Sequence, residues 1–279
     1  MLSYRHGFHA GNFADIFKHA MLFVVLQYLN KKDKPYLVVD THAGAGEYNL
    51  EDEFSTKTNE FMGGIDKLLG YEGKDETLLL FKEFVCEIGL KEQQRIYPGS
   101  PRIIQSLIRS ADFLRLFELH PTDYKKLNNL FVKEKKVQVI NENAYTGLKA
   151  LLPPHTKRGL IFMDPSYELK TEYEDAVHCI INSWKAFQQG IYMLWYPVVN
   201  RDKVNRMKKG FEKSSVRNVV QIECLQEKDN PEFGMTGNGF FIINPPWVLQ
   251  KQAQGFLPEL LSILGTADSK WSYKIVNPE

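Results

Sequence analysis

One short apolar run most constrains how this chain can fold. Residues 160–163 are continuously apolar, and the run ends abruptly in Asp164-Pro165. Such a run is typical of a strand buried on both faces of a parallel sheet, and the residue before a proline is biased toward extended backbone. The sequence therefore predicts a buried strand whose end brings together a carboxylate, a fixed turn and the ring of Tyr167. The alternative is a strand end at which Asp164 only caps the next turn.

The residues at this strand end have the chemistry to hold an adenine. Asp164 and the carbonyl of Pro165 can accept the two N–H bonds of an exocyclic amine, while Tyr167 stacks on the ring. Two acceptors aimed at these hydrogens favour the pyramidal nitrogen that attacks a methyl donor. The stretch resembles the Asp-Pro-Pro-Tyr motif of N6-adenine methyltransferases, although Ser166 stands where the second proline is usual. Serine costs the turn roughly 0.4–1 kcal/mol of preorganisation.

The order of strand signals predicts the fold class. Seven segments carry apolar, β-branched or aromatic runs, at residues 36–40, 113–118, 137–140, 160–164, 191–196, 219–225 and 239–243. The first five alternate with helical patterns, whereas the last two are joined by a polar loop that suits an antiparallel pair. We therefore predict an α/β fold with a doubly wound, mostly parallel, seven-stranded sheet. This order of strands resembles the Rossmann-like fold of the class I, S-adenosylmethionine-dependent methyltransferases.

Residues 47–95 interrupt this alternation. Two amphipathic helical patterns with glycines between them occur here, without a strand signal. A connection between a strand and a helix is usually about 2–6 residues long. We therefore predict a helical insertion subdomain at residues 47–95, which faces the substrate or acts as a lid. Residues 1–46 and 96–279 then form the main domain.

Two polar features at strand ends indicate a nucleotide-like cofactor. The first strand leads into the glycine-rich turn Thr41-His42-Ala43-Gly44-Ala45-Gly46, and the second strand ends in Glu118. Glycines let a ligand approach the backbone closely, and an acid at the second strand typically accepts hydrogen bonds from a ribose diol. Because the turn lacks the full GxGxxG pattern, it suits a cofactor without phosphates. The alternatives are an ordinary tight turn and an exposed strand-end charge.

The region before the first strand predicts an amphipathic helix. Asn12 is a candidate N-cap with Asp15 three residues on, and apolar residues recur at helical spacing up to Lys34-Pro35. Together with Asp15, three histidines here form a possible metal set: His6, His9 and His19. We disfavour that interpretation, because histidines and acids on a helix are more often satisfied by hydrogen bonds. We predict no metal.

Cysteine usage and net charge indicate the cell compartment and the way in which the chain could bind nucleic acid. The three cysteines are scattered and lack CxxC spacing, which argues against disulfides or a zinc site and for a reducing compartment. The sequence shows neither a signal peptide nor an apolar run of the ~20 residues that a membrane span needs. We therefore expect a cytoplasmic protein without membrane contact. The formal net charge of +1 means that nucleic-acid binding must depend on local patches.

Two basic clusters and a second proline motif are further candidates. One cluster lies within residues 201–213 and the other within residues 125–136, and each is an RNA-binding candidate or a solvated helix face. Asn244-Pro245-Pro246-Trp247 matches a methyltransferase acceptor motif more literally than Asp164 does. However, the acceptor motif belongs after the fourth strand, beside the glycine-rich turn. We therefore favour Asp164 and interpret Asn244 to Trp247 as a strand-ending turn.

The chain as a whole resembles the bacterial large-subunit ribosomal RNA adenine-N6 methyltransferase J family. The segments that carry the resemblance are Tyr4-Arg5-His6-Gly7-Phe8-His9-Ala10-Gly11-Asn12 with Asp15, Lys18 and His19, Asp40 to Gly46, Tyr97-Pro98-Gly99-Ser100-Pro101, Glu118-Leu119-His120-Pro121, Leu194 to Val199, Gly234-Met235-Thr236 and Asn244 to Trp247. One departure is Asn143-Ala144, where family members usually carry Asp-Gly near the adenine of the cofactor. The neutral Asn143 can donate as well as accept.

The resemblance implies S-adenosylmethionine as cofactor, S-adenosylhomocysteine as its product and 23S ribosomal RNA as substrate. The catalytic residues are then Asp164, Pro165 and Tyr167. The predicted cofactor-binding residues are Lys18, His19, His42, Gly44, Ser100, Glu118, Asn143, Ala144 and Asp164, and the predicted substrate-binding residues are Tyr4, Arg5, His6 and Tyr167.

The implied activity is methylation of adenine N6, at position 2030 in the family. We expect a monomer acting on deproteinised RNA or on an early assembly intermediate. Two alternatives remain open: a non-catalytic RNA-binding protein on a methyltransferase scaffold, and an NAD-dependent oxidoreductase.

Overall fold

The computed structural model describes residues 6–91, 94–169, 171–230 and 234–278. The strands are β1 (Leu37–Asp40), β2 (Glu47–Asn49), β3 (Leu90–Lys91), β4 (Gln94–Pro98), β5 (Phe113–Phe117), β6 (Val137–Ile140), β7 (Gly159–Met163), β8 (Ile191–Val198), β9 (Val219–Leu225), β10 (Gly237–Ile243) and β11 (Lys270–Asn277). The α-helices are α1 (Phe13–Asn30), α2 (Glu53–Thr58), α3 (Ile65–Leu69), α4 (Glu76–Ile88), α5 (Ser100–Leu107), α6 (Pro121–Phe131), α7 (Ala144–Gly147), α8 (Glu172–Ala186), α9 (Arg201–Glu212) and α10 (Leu249–Leu264).

The central sheet has the strand order β11-β9-β10-β8-β7-β1-β5-β6. The five strands β8, β7, β1, β5 and β6 are parallel, whereas β10 is antiparallel to both β8 and β9. The predicted doubly wound α/β fold is therefore confirmed, and so is the antiparallel end of the sheet. Because consecutive parallel strands carry their carboxyl ends to one edge, this edge collects the residues that follow β1, β5, β6, β7 and β8.

The prediction of seven strands is wrong, because β11 adds an eighth. It pairs antiparallel with β9 at the sheet's edge. Trp271 and Tyr273 are only partly buried, and the residue buried most completely in this strand is Val276. A half-solvated edge strand with lysines among its aromatics has a weak apolar pattern, which explains why the sequence did not indicate it.

The segment at residues 47–95 is helical, as predicted, but it also contains strands. Helices α2, α3 and α4 lie here, and β2, β4 and β3 form a small antiparallel sheet in that order. The expectation of no strand was wrong because strands of two to five residues are too short to show a period. Helix α4 contacts α1 and α10. That residues 47–95 form a subdomain of their own stays a prediction.

Helix α1 is buried more completely than an amphipathic helix. The Asn12 side chain accepts a hydrogen bond from the Asp15 N–H, as predicted for an N-cap, and the helix ends at Asn30. Fourteen of its residues are buried, among them Asp15, Lys18 and His19. Charged residues are rarely buried unless they are paired, so the buried Asp15 and Lys18 are expected to have charged or hydrogen-bonding partners inside the protein. Within the ranges described, no helix is long and apolar enough to cross a membrane.

Candidate active site

The tips of β1 and β7 lie side by side. Asp40 is opposite Phe162 in the parallel register, and the Thr41 N–H donates to the Phe162 carbonyl at 3.0 Å. The glycine-rich turn and Asp164 therefore open into one cleft of about 310 Å³. The residues named from the sequence that line it are His6, Lys18, His19, His42, Gly44, Ser100, Glu118, Asn143, Ala144, Asp164 and Pro165. Tyr4 and Arg5 lie outside the described residues.

A buried charge network holds Asp164 in place. Lys18 on α1 donates to Asp164 Oδ2 at 2.5 Å and lies 2.8 Å from Asp15 Oδ1. His6 Nε2 contacts the other oxygen of Asp15 at 3.0 Å. Burial alone would lower the pKa of Lys18, but the two carboxylates raise it above its ordinary value. The ammonium group is therefore charged and fixes one oxygen of Asp164.

The counterpart of Lys18 in this network is Asp15. Burial would raise the pKa of Asp15, but the charges of His6 and Lys18 hold it well below its ordinary value. Asp15 Oδ2 also accepts the Gly11 N–H at 2.9 Å. The segment before α1 is thus tied to the same charge network as Asp164.

Glu118 extends from the end of β5 over the glycine-rich turn. Its Oε2 accepts the Gly44 N–H at 2.7 Å, and its Oε1 accepts the His120 N–H at 2.6 Å. Burial raises the pKa of Glu118, and these two backbone donors act in the opposite direction. Since each carboxylate oxygen can accept more than one bond, both can still accept from a ligand.

Ser100 lines the cleft and is bonded to Asp40, which is fully buried beneath it. Ser100 Oγ donates to Asp40 Oδ2 at 2.6 Å. Burial raises the pKa of Asp40 to about 7. Because the hydroxyl proton points at Asp40, the oxygen of Ser100 presents lone pairs, and it acts toward a ligand as an acceptor.

Tyr167 lies behind the cleft and is not part of its lining. Its hydroxyl donates to the Trp195 carbonyl at 2.5 Å, and its ring packs against Tyr173 with centroids 4.4 Å apart. The residue adopts a left-handed conformation, with φ of 56°, and is 9% exposed. In this conformation Tyr167 braces the turn after Asp164.

The Asn143 side chain is already engaged as a helix cap. Its Oδ1 accepts the Tyr145 N–H at 2.8 Å at the start of α7. Ala144, the first residue of this helix, lines the cleft. A ligand ring placed here would meet the backbone of α7 more readily than the Asn143 amide oxygen.

The Asn244 motif lies at the other edge of the sheet. It follows β10, whose Ile243 is opposite Tyr192 near the start of β8. The Asn244 side-chain nitrogen donates to the carbonyls of Gln188 and Gly190 at 2.7 and 2.8 Å. As expected from strand order, this motif is remote from the glycine-rich turn.

Comparison with known proteins assigns the chain to a family. Residues 33–276 match the family model described as "Ribosomal RNA large subunit methyltransferase D, RlmJ". The chain is 44% identical over 264 residues to the ribosomal RNA large subunit methyltransferase J of Escherichia coli, covering 95% of this chain and 94% of that protein. It is 39% identical to the protein of the same name from Haemophilus influenzae, covering all of both chains. The chain belongs to this methyltransferase J family.

A solved structure agrees with the family assignment. The crystal structure of a Legionella pneumophila protein is 38% identical, with a TM-score of 0.87, and the match covers 96% of this chain and 98% of that one. Membership in the methyltransferase J family makes the protein a ribosomal RNA methyltransferase, and its fold is a doubly wound α/β sheet. Membership in the methyltransferase J family decides against the oxidoreductase alternative.

The cleft fits the methyl donor of such an enzyme, S-adenosylmethionine. Six carboxylates and one lysine line the cleft within the described ranges, and the carboxylates are those of Glu118, Asp123, Glu142, Asp164, Glu172 and Asp175. This charge suits a ligand with a sulfonium and an ammonium group and would repel a pyrophosphate. A Cβ at Gly44 would lie 2.2 Å from the Tyr48 hydroxyl oxygen. Any residue other than glycine at this position would therefore clash with Tyr48.

Several residues of the methyltransferase cleft were not among the site residues predicted from the sequence. Tyr48, His120, Glu142 and Tyr145 all line it. Tyr48 accepts the Ala45 N–H at 3.1 Å and so helps shape the glycine-rich turn. His120 lies two residues after Glu118, so its position just beyond a strand that ends in a candidate site residue was a signal for it. Tyr145 belongs to the turn of helix after β6, which sequence patterns define poorly.

Acid should destabilise the methyltransferase through His19. Burial lowers the pKa of His19 to about 3, and its Nδ1 hydrogen-bonds the Tyr97 hydroxyl at 2.8 Å. As the pH falls below about 6.5, the unfolded chain binds a proton at His19 that the folded chain does not, so the free energy of unfolding falls. His19→Gln should remove this contribution and flatten the pH dependence between about pH 6.5 and 4. Urea unfolding at several pH values measures it, with the exposed His155→Gln as control; equal slopes for both variants would refute the role of His19.

Proposed function

We propose that this methyltransferase transfers a methyl group to the exocyclic N6 of an adenine in 23S ribosomal RNA, the adenine at position 2030 in the family's activity. The observation that carries the proposal is the opening of Asp164-Pro165 and the glycine-rich turn into the same cleft. Asp164 Oδ2 is bonded to Lys18, and within the described ranges no residue bonds Oδ1. This second oxygen and the Pro165 carbonyl can then accept the two hydrogens of the adenine amine.

The cofactor residues act on one side of this position. Glu118 accepts hydrogen bonds from the ribose hydroxyls, and Ser100 accepts a hydrogen bond from a donor group of the ligand. Gly44 and Ala144 allow the ligand to approach the backbone closely. His19 and His42 complete the polar wall around the glycine-rich turn. When bound, S-adenosylmethionine supplies an electrophilic methyl group on its sulfonium sulfur.

The residues accelerate transfer by orientation and by electrostatics. The adenine N6 lone pair forms the new C–N bond as the S–C bond breaks, and N6 then loses a proton to Asp164 or to water. Aligning the two reactants can lower the barrier by up to roughly 7–11 kcal/mol. Lys18 holds Oδ2 of Asp164 by a hydrogen bond, so that the second oxygen is left to accept from the substrate.

The target adenine must leave its helix or lie in an unpaired region to reach this cleft. His6 lines the cleft and contacts the RNA there, while Tyr4 and Arg5 stay predicted RNA contacts outside the described residues. Tyr167 stacks on the base only when its ring turns away from the Trp195 carbonyl. Deproteinised RNA or an early assembly intermediate offers such a base, and a monomer suffices because one chain carries every group named.

The second candidate, an RNA-binding protein without activity, depends on the departures at Ser166 and Asn143. Ser166 Oγ lies 3.4 Å from Glu172 Oε2, a contact that fastens the turn in place of a second proline. Asn143 serves as a helix cap. Neither departure removes an acceptor from Asp164 or Pro165, so the geometry favours catalysis.

Mass spectrometry of nucleosides from 23S ribosomal RNA tests the proposed function. Cells that lack this protein should lose one N6-methyladenosine, and complementation with the wild type should restore it, whereas Asp164→Ala should not. An unchanged N6-methyladenosine content, with loss of another methylated nucleoside, would assign the enzyme to a different base.

Glu118→Gln should weaken cofactor binding. The amide would place an N–H group against the Gly44 or His120 N–H and would remove the charge that receives the ribose hydroxyls. Hydrogen bonds to a charged group contribute about 1.5–3 kcal/mol, so the Kd for S-adenosylmethionine should rise roughly 10- to 150-fold. Calorimetry measures it, with the exposed Glu83→Gln on α4 as control; an unchanged Kd would show that Glu118 does not contact the cofactor.

A further inference from the structure

The turn at Asn244 to Trp247 holds an indole ring out into solvent. Asn244 has a left-handed backbone, with φ of 53°, and its side chain is anchored on the carbonyls of Gln188 and Gly190. Its N–H donates to the Asn218 carbonyl at 3.0 Å. Pro246 is buried, yet Trp247 is 81% exposed. A fixed turn thus presents the most exposed of the large apolar side chains that the structure describes.

Cations line the same edge of the sheet. The parallel strands β7, β1, β5 and β6 begin at this edge, and basic residues precede each of them. We define the far-edge row as Lys32, Lys34, Arg109, Lys135, Lys136, Lys157 and Arg158. Among the acids near this row, Asp33 and Asp112 contact Arg109, and the exposed Glu134 directly precedes Lys135. The side chains of Lys32, Lys34 and Lys157 are exposed and make no ion pair with any residue in the described ranges.

A groove joins the turn to this row. It has a volume of about 870 Å³ and is lined on one side by Asn244, Pro245 and Pro246. The other side is lined by residues 32–34 and 156–159. Trp247 is the next residue after Pro246 in the chain, although it is not itself one of the residues that line the groove. An exposed aromatic ring next in the chain to one wall of a groove, with lysines without ion-pair partners in the described ranges on the opposite wall, suits single-stranded nucleic acid, which binds through base stacking and phosphate neutralisation.

The two edges of the sheet differ in charge in a way that matters for RNA. Six carboxylates line the cleft at the carboxyl ends of the strands, which disfavours the approach of a polyanion. The far-edge row lies at the amino ends. Arg158 and Asp164 are separated by the length of β7, which is roughly 20 Å at about 3.3 Å per residue. A long RNA can therefore contact both edges at once.

We propose that the groove between Asn244 to Pro246 and the far-edge row is a second RNA-binding site, in which Trp247 stacks on an unpaired base and Lys32, Lys34 and Lys157 contact phosphates. The site contributes affinity for long substrates and does not take part in methyl transfer. This inference rests on the proposed function only in taking ribosomal RNA as the substrate.

Binding and turnover with two RNA lengths test the proposal. With a long fragment of 23S ribosomal RNA, Trp247→Ala should raise Kd and KM roughly 5- to 150-fold, as expected for about 1–3 kcal/mol per stacked base, and should leave kcat unchanged. With a short RNA that fills only the cleft, the same variant should behave as wild type. Trp247→Phe should retain most of the long-RNA affinity, because its ring still stacks.

The lysines have a separate readout. Lys32→Ala with Lys34→Ala should lower the slope of log affinity against log salt by about 0.7–0.9 for each phosphate that the protein no longer neutralises. The controls are Ile275→Ala for removal of an exposed apolar side chain, and Lys270→Ala with Lys274→Ala for removal of exposed charge; all three residues lie on β11. Melting temperatures exclude misfolding, and if Trp247→Ala is unstable, Trp247→Phe and the lysine variant decide alone.

Two results would overturn the second site. If Trp247→Ala and the lysine variant both bind long RNA with the Kd and KM of the wild type, the groove does not bind RNA and serves another partner, such as a protein. Equal reductions in affinity for short and long RNA would show an indirect effect on the cleft. If instead the wild type methylates neither RNA while Trp247→Ala still binds long RNA more weakly, the proposed function fails and the second site stands.

Discussion

Asp164→Asn should lower kcat for methyl transfer about 10²- to 10⁴-fold, the range typical of a positioned proton acceptor. Asparagine has the same shape, but it lacks the negative charge and turns an N–H group either toward the adenine amine or toward Lys18. With one oxygen and one nitrogen, an amide in that position cannot accept hydrogen bonds from the substrate amine and from the Lys18 ammonium on its two sides at once. The rate falls because the amine nitrogen is no longer held in the conformation that attacks the methyl group.

Single-turnover kinetics with a saturating methyl donor measure this effect on the chemical step. The control is Glu174→Gln on α8, which removes one exposed carboxylate without contact to the cleft and should retain wild-type kcat. A fall in kcat of less than about tenfold in Asp164→Asn would mean that hydrogen bonding by the charged carboxylate contributes little to the chemical step.

Lys18→Met should destabilise the protein by about 3–5 kcal/mol, because it breaks a buried ion network and leaves carboxylates without their cation. The Lys18 side chain is 4% exposed and lies between Asp15 and Asp164. Methionine fills a similar volume but cannot neutralise either acid. The denaturant midpoint should fall with an unchanged m-value.

The sign of the pH dependence separates the effect of charge from the effect of packing. In Lys18→Met the buried Asp15 loses one of the charges that hold its pKa down and takes up a proton more readily than in the wild type, so the difference in unfolding free energy should shrink as the pH falls. The double variant Asp15→Asn with Lys18→Met should be less destabilised than the sum of the two single variants. A pH-independent difference and strict additivity would assign the destabilisation to packing.

The local elements of this site could be predicted from the sequence. Apolar runs that end in Asp164 and in Glu118 specify two strand tips, and the alternation of strands with helices places those tips at one edge of a parallel sheet. The choice of Asp164 over Asn244 also follows, because β10 runs antiparallel and carries Asn244 to the opposite edge.

The parts that the sequence could not supply depend on contacts between distant segments. Lys18 reaches Asp164 across 146 positions of the chain, and no local pattern on α1 shows which of its polar residues face inward. Tyr167 points away from the cleft because the left-handed backbone at that residue turns its ring toward Trp195. A motif gives the types of residue at a turn, but the φ angle at each position decides which side chain faces the ligand.

Two further features could not be predicted from the sequence because they depend on neighbouring structure: the role of Asn143 as a helix cap, and the edge strand β11. A short helix such as α7 competes for the same amide oxygen that a ligand would use. An edge strand is specified by its partner, β9, more than by its own alternation.

The most direct test of the central claim is transfer of a deuterium-labelled methyl group from S-adenosylmethionine to 23S ribosomal RNA by the purified protein, followed by digestion to nucleosides and mass spectrometry. We predict that the label appears in N6-methyladenosine with the wild type and is absent with Asp164→Asn at equal time. Label in a ribose methyl group or in another base, or undiminished label with Asp164→Asn, would contradict the account.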